Sequence, residues 1–248
     1  LFPLPYQAPL AHLLYALFAA VPFLLGGGLL LGKMNAEQTG RLPRPLRMLL
    51  SALLLLAAFL QWKYGAGPGA MRVCSRLVLL GMAASFAGDL IMARLVPVPK
   101  RLIFGMAAFA LGHVFYVSAF AHLLLNLPPV GAGVTGTVIA AVLAFGVWAW
   151  HRFVRDPDRS KVINIGSLLY GLLLGLSASL AILLAFADSH YVGLAAGGLL
   201  FLLSDLVLGN WVIRGHVWRS VNDVIWLTYV VGQLLIVYSV AATIHVWR

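Results

Sequence analysis

Eight times along this 248-residue chain a run of about twenty apolar residues, the length that crosses a bilayer core as a helix, ends at a cluster of glycine, proline or charge. That pattern constrains the fold more than any motif does. Hydrocarbon offers no partner for backbone N–H and C=O groups, so a span of this length bonds within itself as a helix. The predicted spans are Pro9–Gly32, Leu46–Tyr64, Val73–Val96, Leu102–Leu125, Val130–Trp150, Val162–Ala187, Tyr191–Ile213 and Val221–Trp247. Breakers between them include Gly-Ala-Gly-Pro-Gly at 65–69, Pro97 and Pro99, Pro128 and Pro129, and Asp156-Pro157. The expected fold class is an all-α membrane protein, about eight transmembrane helices in one bundle. No connector is long enough for a soluble domain, so residues 1–248 read as a single transmembrane domain. The first run lacks a basic flank and reads as a retained span rather than a cleaved signal.

Surface arithmetic agrees. Only 10% of the residues are charged and 62% are hydrophobic, against about 25% charged in a soluble domain. A net charge of +10 invites a nucleic-acid partner, but the distribution of charge argues for none. Thirteen of the seventeen basic residues lie in the connectors after spans one, three, five and seven: Lys33, Arg41, Arg44 and Arg47; Arg94, Lys100 and Arg101; Arg152, Arg155, Arg159 and Lys161; Arg214 and Arg219. Lys63, Arg72, Arg76 and Arg248 fall on the other side. Positive-inside bias therefore predicts a multi-pass integral membrane protein with both termini outside. Compact loops and an Ala/Leu/Gly/Arg-rich composition point to a bacterial plasma membrane. Cys74 is the one cysteine, which excludes an internal disulfide and a multi-cysteine metal site.

Of seven acidic residues, Glu37, Asp156, Asp158, Asp188 and Asp223 fall in connectors or at helix ends. Asp89 and Asp205 lie inside spans, where an acid costs about 2.5–3.5 kcal/mol on insertion scales and normally faces protein or a wet cavity. The two belong to a weak internal echo. Ser85-Phe-Ala-Gly-Asp89-Leu is followed by Gly112-His113-Val-Phe-Tyr116, and Phe201-Leu-Leu-Ser204-Asp205-Leu by Gly232-Gln233-Leu-Leu-Ile236. Four crossings separate the acids, so their helices run in the same direction, as in a parallel membrane repeat. Gly81, Ser85 and Asp89 recur every fourth residue, as do Gly197, Phe201, Asp205 and Gly209; small residues at that spacing let helices approach closely. Asn222, Trp226, Tyr229 and Gln233 share a face of the last span, and Gly105, Phe109, His113, Tyr116 and Phe120 a face of the fourth.

Two carboxyls in a low-dielectric site cannot both ionise cheaply, so a pair supplies an acid beside a base. That arrangement can protonate one atom and activate water at another, and it suits hydrolysis through a cationic transition state, such as that of an ether. Blander readings stand beside it. An intramembrane Asp can simply bond a neighbouring helix or receive Arg94, and His113 can be a core histidine. The other histidines, at 12, 122, 151, 190, 216 and 245, lie toward span ends. No Ser-His-Asp triad, HExxH or phosphate loop is present, and Gly26-Gly27-Gly28 lies in a lipid-facing run that follows no strand.

These motifs resemble the lysoplasmalogenase (YhhN-like) family of polytopic membrane proteins. The resemblance lies in Gly88-Asp89-Leu with Phe104-Gly-Met-Ala-Ala-Phe-Ala-Leu-Gly-His113-Val-Phe-Tyr116, and in Gly198-Leu-Leu-Phe-Leu-Leu-Ser204-Asp205 with Thr228-Tyr229-Val-Val-Gly-Gln233-Leu-Leu-Ile236. Arg44-Pro45 is similar to the family's Lys-Pro pair, and Tyr170-Gly171 to its Tyr-Gly. The resemblance implies hydrolysis of the vinyl-ether bond of lysoplasmalogens to a fatty aldehyde and glycerophospho-choline or -ethanolamine. It implies Asp89 and Asp205 as the catalytic pair. His113, Tyr116, Tyr170, Ser204, Tyr229 and Gln233 would then bind or position substrate and acids. Arg44, with Arg101 or Arg219, would meet the phosphate. No metal or organic cofactor is implied; the partners are a lysophospholipid substrate and membrane lipids, and the oligomeric state is left open. The chain departs from the pattern at Tyr229-Val230, where the family has paired tyrosines, and in its longer basic connector Arg214–Arg219. The alternative function is a lipid or small-molecule transporter that uses the acids for proton or cation coupling; a further one is a binding or assembly protein whose acids only lock helices together.

Overall fold

The structure, a computed structural model, describes residues 7–65 and 69–243. Most of the glycine-rich turn at 65–69, and the end of the last expected span with His245, Trp247 and Arg248, lie outside the described residues. Eight helices follow in order: α1 Ala8–Leu31, α2 Arg44–Leu60, α3 Ala70–Met92, α4 Arg101–Leu124, α5 Ala132–Ala149, α6 Lys161–Ala187, α7 Val192–Val212 and α8 Val221–Thr243. Among the described residues there is no strand. All eight are long and apolar enough to cross a bilayer, and the chain is a multi-pass integral membrane protein.

Local chemistry sets several boundaries. Pro43 precedes α2 and Pro45 sits in its first turn, where a missing N–H is no loss. The helix therefore starts at Arg44, before the apolar run, and carries Arg44 and Arg47 in its first turns. Beyond Leu60 it continues as a π-helical turn, Gln61–Gly65, from which the buried Gln61 Nε2 donates to the Val237 carbonyl of α8 at 3.1 Å. A second π turn, Trp150–Val154, prolongs α5. Ser160 caps α6, and Arg94, at φ 63°, turns the chain back after α3 while Leu95 N–H bonds the Leu90 carbonyl.

Without a hydrophobic drive between helices in lipid, close packing carries the bundle. α3 packs on α4 and α7 on α8 more intimately than any other pair. Glycine makes this possible at equivalent places. A Cβ on Gly112 would stand 2.9 Å from the Gly81 carbonyl oxygen, and one on Gly232 would stand 2.9 Å from that of Gly197. The two pairs share this contact: Gly112 meets α3 at Gly81 and Ser85, and Gly232 meets α7 at Gly197 and Phe201. α8 is the most enclosed helix; α5 rests on α6 and is otherwise bare. In α1, Gly26 and Gly27 face open space, but Gly28 does not: Leu42 and Leu46 fill the place its side chain would take.

The connector between α1 and α2 is bound to the start of α8. Ser220 and Asn222 N–H groups donate to the carbonyls of Gln38 and Thr39, at 3.0 and 2.8 Å. Asp223 Oδ1 accepts from the Arg41 N–H at 2.6 Å and the Leu42 N–H at 3.4 Å. Expected as a helix-end acid, Asp223 is in the first turn of α8 and buried.

Candidate active site

The C-terminal turns of α3 and α7 and the N-terminal turns of α2, α4 and α8 end around one cavity of about 280 Å³. Asp89 and Asp205 both line it, with Tyr229 and Ser204. Asp89 reaches this place because Gly88, beside it, admits the Phe109 ring of α4 where a Cβ would clash at 2.8 Å. The residue as a whole is 4% exposed. Ser51 Oγ donates to Asp89 Oδ2 at 2.6 Å, and Tyr229 Oη donates to the same oxygen at 2.8 Å. Asp205 is partly exposed and accepts a short hydrogen bond on Oδ2 from Tyr170 Oη. No hydrogen bond joins the two carboxyls. They face the same space, each held by its own tyrosine.

Tyr229 is fixed by ring edges. Phe201, Trp226 and Phe109 lie 5.3, 5.4 and 6.1 Å from its centroid, all edge-on. Such packing holds the phenol in one rotamer while its hydroxyl reaches the acid. Ser204 ties α7 to α8 by donating to the Ile225 carbonyl at 3.0 Å.

Arginine supplies the opposing charge. Arg44, Arg47, Arg94 and Arg101 all line the cavity, contributed by the ends of α2, α3 and α4. Arg47 lies 5.3 Å above the Trp226 ring and donates to Asn222 Oδ1 at 3.4 Å. None is ion-paired to either acid; the salt bridges among the described residues are Arg159–Asp156 and His190–Asp188. Arg94, the expected alternative partner of Asp89, makes no such pair. Arg219, offered with Arg101 for the phosphate, does not line this cavity.

His113, Tyr116 and Gln233 are placed one layer behind the cavity rather than on it. Tyr116 Oη donates to Gln233 Oε1 at 2.7 Å. His113 stands edge-on to Phe201, Tyr116 and Tyr170, at 4.4, 5.6 and 6.4 Å, with neither ring nitrogen hydrogen-bonded. Gln233 Nε2 also lacks a partner. These side chains back the tyrosines and touch no carboxylate. Among the described residues, no three His, Cys, Asp or Glu side chains gather as metal ligands.

Reasoning from sequence missed Ser51 and Arg47. A signal existed: Arg44, Arg47 and Ser51 stand at i, i+3 and i+7 on α2, one polar stripe on an otherwise apolar helix.

The class defined by this fold and site is a polytopic helical membrane protein with two carboxyls facing an arginine-rimmed cavity. The YhhN family model matches residues 42–240, and the chain belongs to that family. The match spans every candidate residue from Arg44 to Gln233. The chain is also 33% identical over 150 residues to the lysoplasmalogenase TMEM86B of Sus scrofa, across 58% of this chain and 55% of that protein. It thus spans about half the length of that relative. No solved structure matches.

Proposed function

We propose that this protein hydrolyses the vinyl-ether bond of lysoplasmalogens, releasing a fatty aldehyde and a glycerophospho-choline or -ethanolamine. The observation that carries the reading is two carboxyls, each held by a tyrosine, facing one cavity beside four arginines that form no salt bridge. The name of the Sus scrofa relative supplies the substrate class.

The chemistry follows from what a carboxyl pair can give. One carboxyl transfers its proton to the chain-side carbon of the C=C–O unit, leaving an oxocarbenium ion. The other, as carboxylate, lies opposite that positive charge and stabilises it. It then takes a proton from water as the water oxygen bonds to the cationic carbon, giving a hemiacetal. That proton passes to the glycerol oxygen as the C–O bond breaks, and the hemiacetal hydroxyl gives its proton to the first carboxylate, which leaves a neutral aldehyde and both carboxyls as they began. The sum is one water consumed and one ether bond cleaved. Guanidinium groups of Arg44, Arg47 and Arg101 carry the charge opposite to a phosphodiester, and each offers a fork of N–H donors to two of its oxygens.

Protein in lipid nanodiscs, given lysoplasmenylcholine, is expected to release aldehyde detectable by mass spectrometry. Asp89→Asn and Asp205→Asn should each lower kcat about 10²–10⁴-fold, the usual worth of a general acid or base, with helicity and melting preserved. An inactive wild type removes the substrate from consideration, and full turnover by either variant removes the paired mechanism. Proton-coupled lipid movement without aldehyde would instead favour the transporter.

A further inference from the structure

Asp205 borders a second opening. On the flank of α7 away from Asp89, a narrow groove runs among α4, α5, α6 and α7. Apart from Asp205, Ser167 and Tyr170 its walls are hydrocarbon, with Met106, Phe145, Trp150, Leu174, Leu202 and Leu206 prominent. Asp205, Leu208 and Val212 line both this groove and the polar cavity. They stand at i, i+3 and i+7, one stripe down α7. Beside that stripe the backbones of α4 and α7 stay apart, each resting on α6, although His113 and Phe201 meet elsewhere along the pair. The two spaces therefore meet along a seam whose polar member is Asp205.

Glycine keeps the groove open. Gly146 of α5 and Gly171 of α6 both line it, and a Cβ at either would meet no atom within 4 Å. Helix packing does not demand glycine there, unlike at Gly112 and Gly232. What the two missing side chains leave is room.

We propose that this groove binds the hydrocarbon chain of a single-chain phospholipid whose head group occupies the arginine-lined cavity. Charge complementarity assigns the two ends: phosphate to the cavity that holds Arg44, Arg47, Arg94 and Arg101, methylenes to the apolar groove. The bond that joins chain to glycerol must then lie at the seam, beside Asp205. A diacyl lipid has a second chain, and the groove is the narrower of the two spaces, about 80 Å³ against about 280 Å³ for the cavity, with no room for two chains side by side. Under the hydrolytic reading above, on which this assignment of roles rests, the chain-side carbon faces Asp205, which makes Asp205 the proton donor. The ether oxygen and water lie toward Asp89, the acid held by Ser51 and Tyr229.

Occupancy of the groove is tested without catalysis. A lysophosphatidylcholine with a diazirine midway along a saturated chain, irradiated with the protein in nanodiscs, should label the α5–α6 segments that contain Phe145, Trp150 and Leu174. Unlabelled lysophosphatidylcholine should compete the adducts away; dioleoylphosphatidylcholine should not. Gly146→Leu and Gly171→Leu should each weaken competition by an eighteen-carbon lysolipid about tenfold, the worth of burying about two methylenes, and shift aldehyde release toward shorter alkenyl chains. Gly136→Leu, on a bare face of α5 with open space around it, should change neither. Labelling scattered over lipid-facing helices overturns the groove, and equal competition by the diacyl lipid overturns the single-chain assignment. Aldehyde release with an unaltered chain-length profile in both leucine variants leaves the hydrolase standing and the groove refuted. The expected labelling with no aldehyde from the wild type does the reverse.

Discussion

Asp89 receives both of its hydrogen bonds on one oxygen, from Ser51 and Tyr229, and its other oxygen is left toward the cavity. Hydrogen bonds to a charged group are worth about 1.5–3 kcal/mol each, so Ser51→Ala and Tyr229→Phe should each slow turnover about 10- to 100-fold. Because the two donors share an acceptor, the double variant should depart from the product of the singles, which a double-mutant cycle measures. Tyr170→Phe acts on the other acid and should combine multiplicatively with Ser51→Ala; strong coupling there would place both donors on one unit. At this scale the sequence was partly legible. Asp89 and Asp205 stand out because a carboxyl in hydrocarbon needs a reason. Tyr229 follows from its place on a polar face of α8. Ser51 stayed hidden because a serine costs little in an apolar helix and bonds backbone as readily as a side chain. His113 had the chemistry of an active-site residue, yet only tertiary packing could reveal that rings surround it instead of acids.

Helix pairs owe their closeness to single missing methyl groups. Gly112→Ala and Gly232→Ala would each set a carbon 2.9 Å from a backbone carbonyl that has no side-chain freedom to yield. Each should destabilise the protein by about 1–3 kcal/mol, the usual toll of overpacking, read as a lowered melting temperature in detergent. Gly136→Ala, in open space, should be neutral or slightly stabilising because alanine favours helix. The elements themselves were readable, since a run of about twenty apolar residues has one solution in lipid. Their ends were less so. The α2 start depends on two prolines that admit arginine into the first turn, and the π turns at Gln61 and Trp150 depend on contacts across the bundle rather than on local sequence. The repeat was visible as two short echoes; its meaning required the shared register of Gly81 with Gly112 and Gly197 with Gly232.

Over the whole molecule, the first connector is anchored by the last helix. Asp223 accepts the Arg41 and Leu42 N–H groups, 182 and 181 residues earlier in the chain, so the first connector and the last helix close around the cavity that Arg44 and Arg47 line. Asp223→Ala would leave buried donors unpaired, at about 1–3 kcal/mol. Trypsin should then cut at Lys33 or Arg41 several times faster than in the wild type, while Asp223→Asn, which retains an acceptor oxygen, should resist better. Nothing in the local sequence marks Asp223 out, because its partners are backbone groups remote in the chain. The halves that it helps to join are alike in scaffold and unlike in what they bring to their acids: Ser51 and Tyr229 hold Asp89, and Tyr170 holds Asp205. Two walls that are not mirror images present a flat alkene with distinguishable faces. Cleavage in heavy water should therefore deliver deuterium from one side alone, and the aldehyde, reduced at once to its alcohol, should carry a single handedness at the labelled carbon. A racemic label would mean that the proton came from bulk water and not from an aspartic acid fixed in the wall.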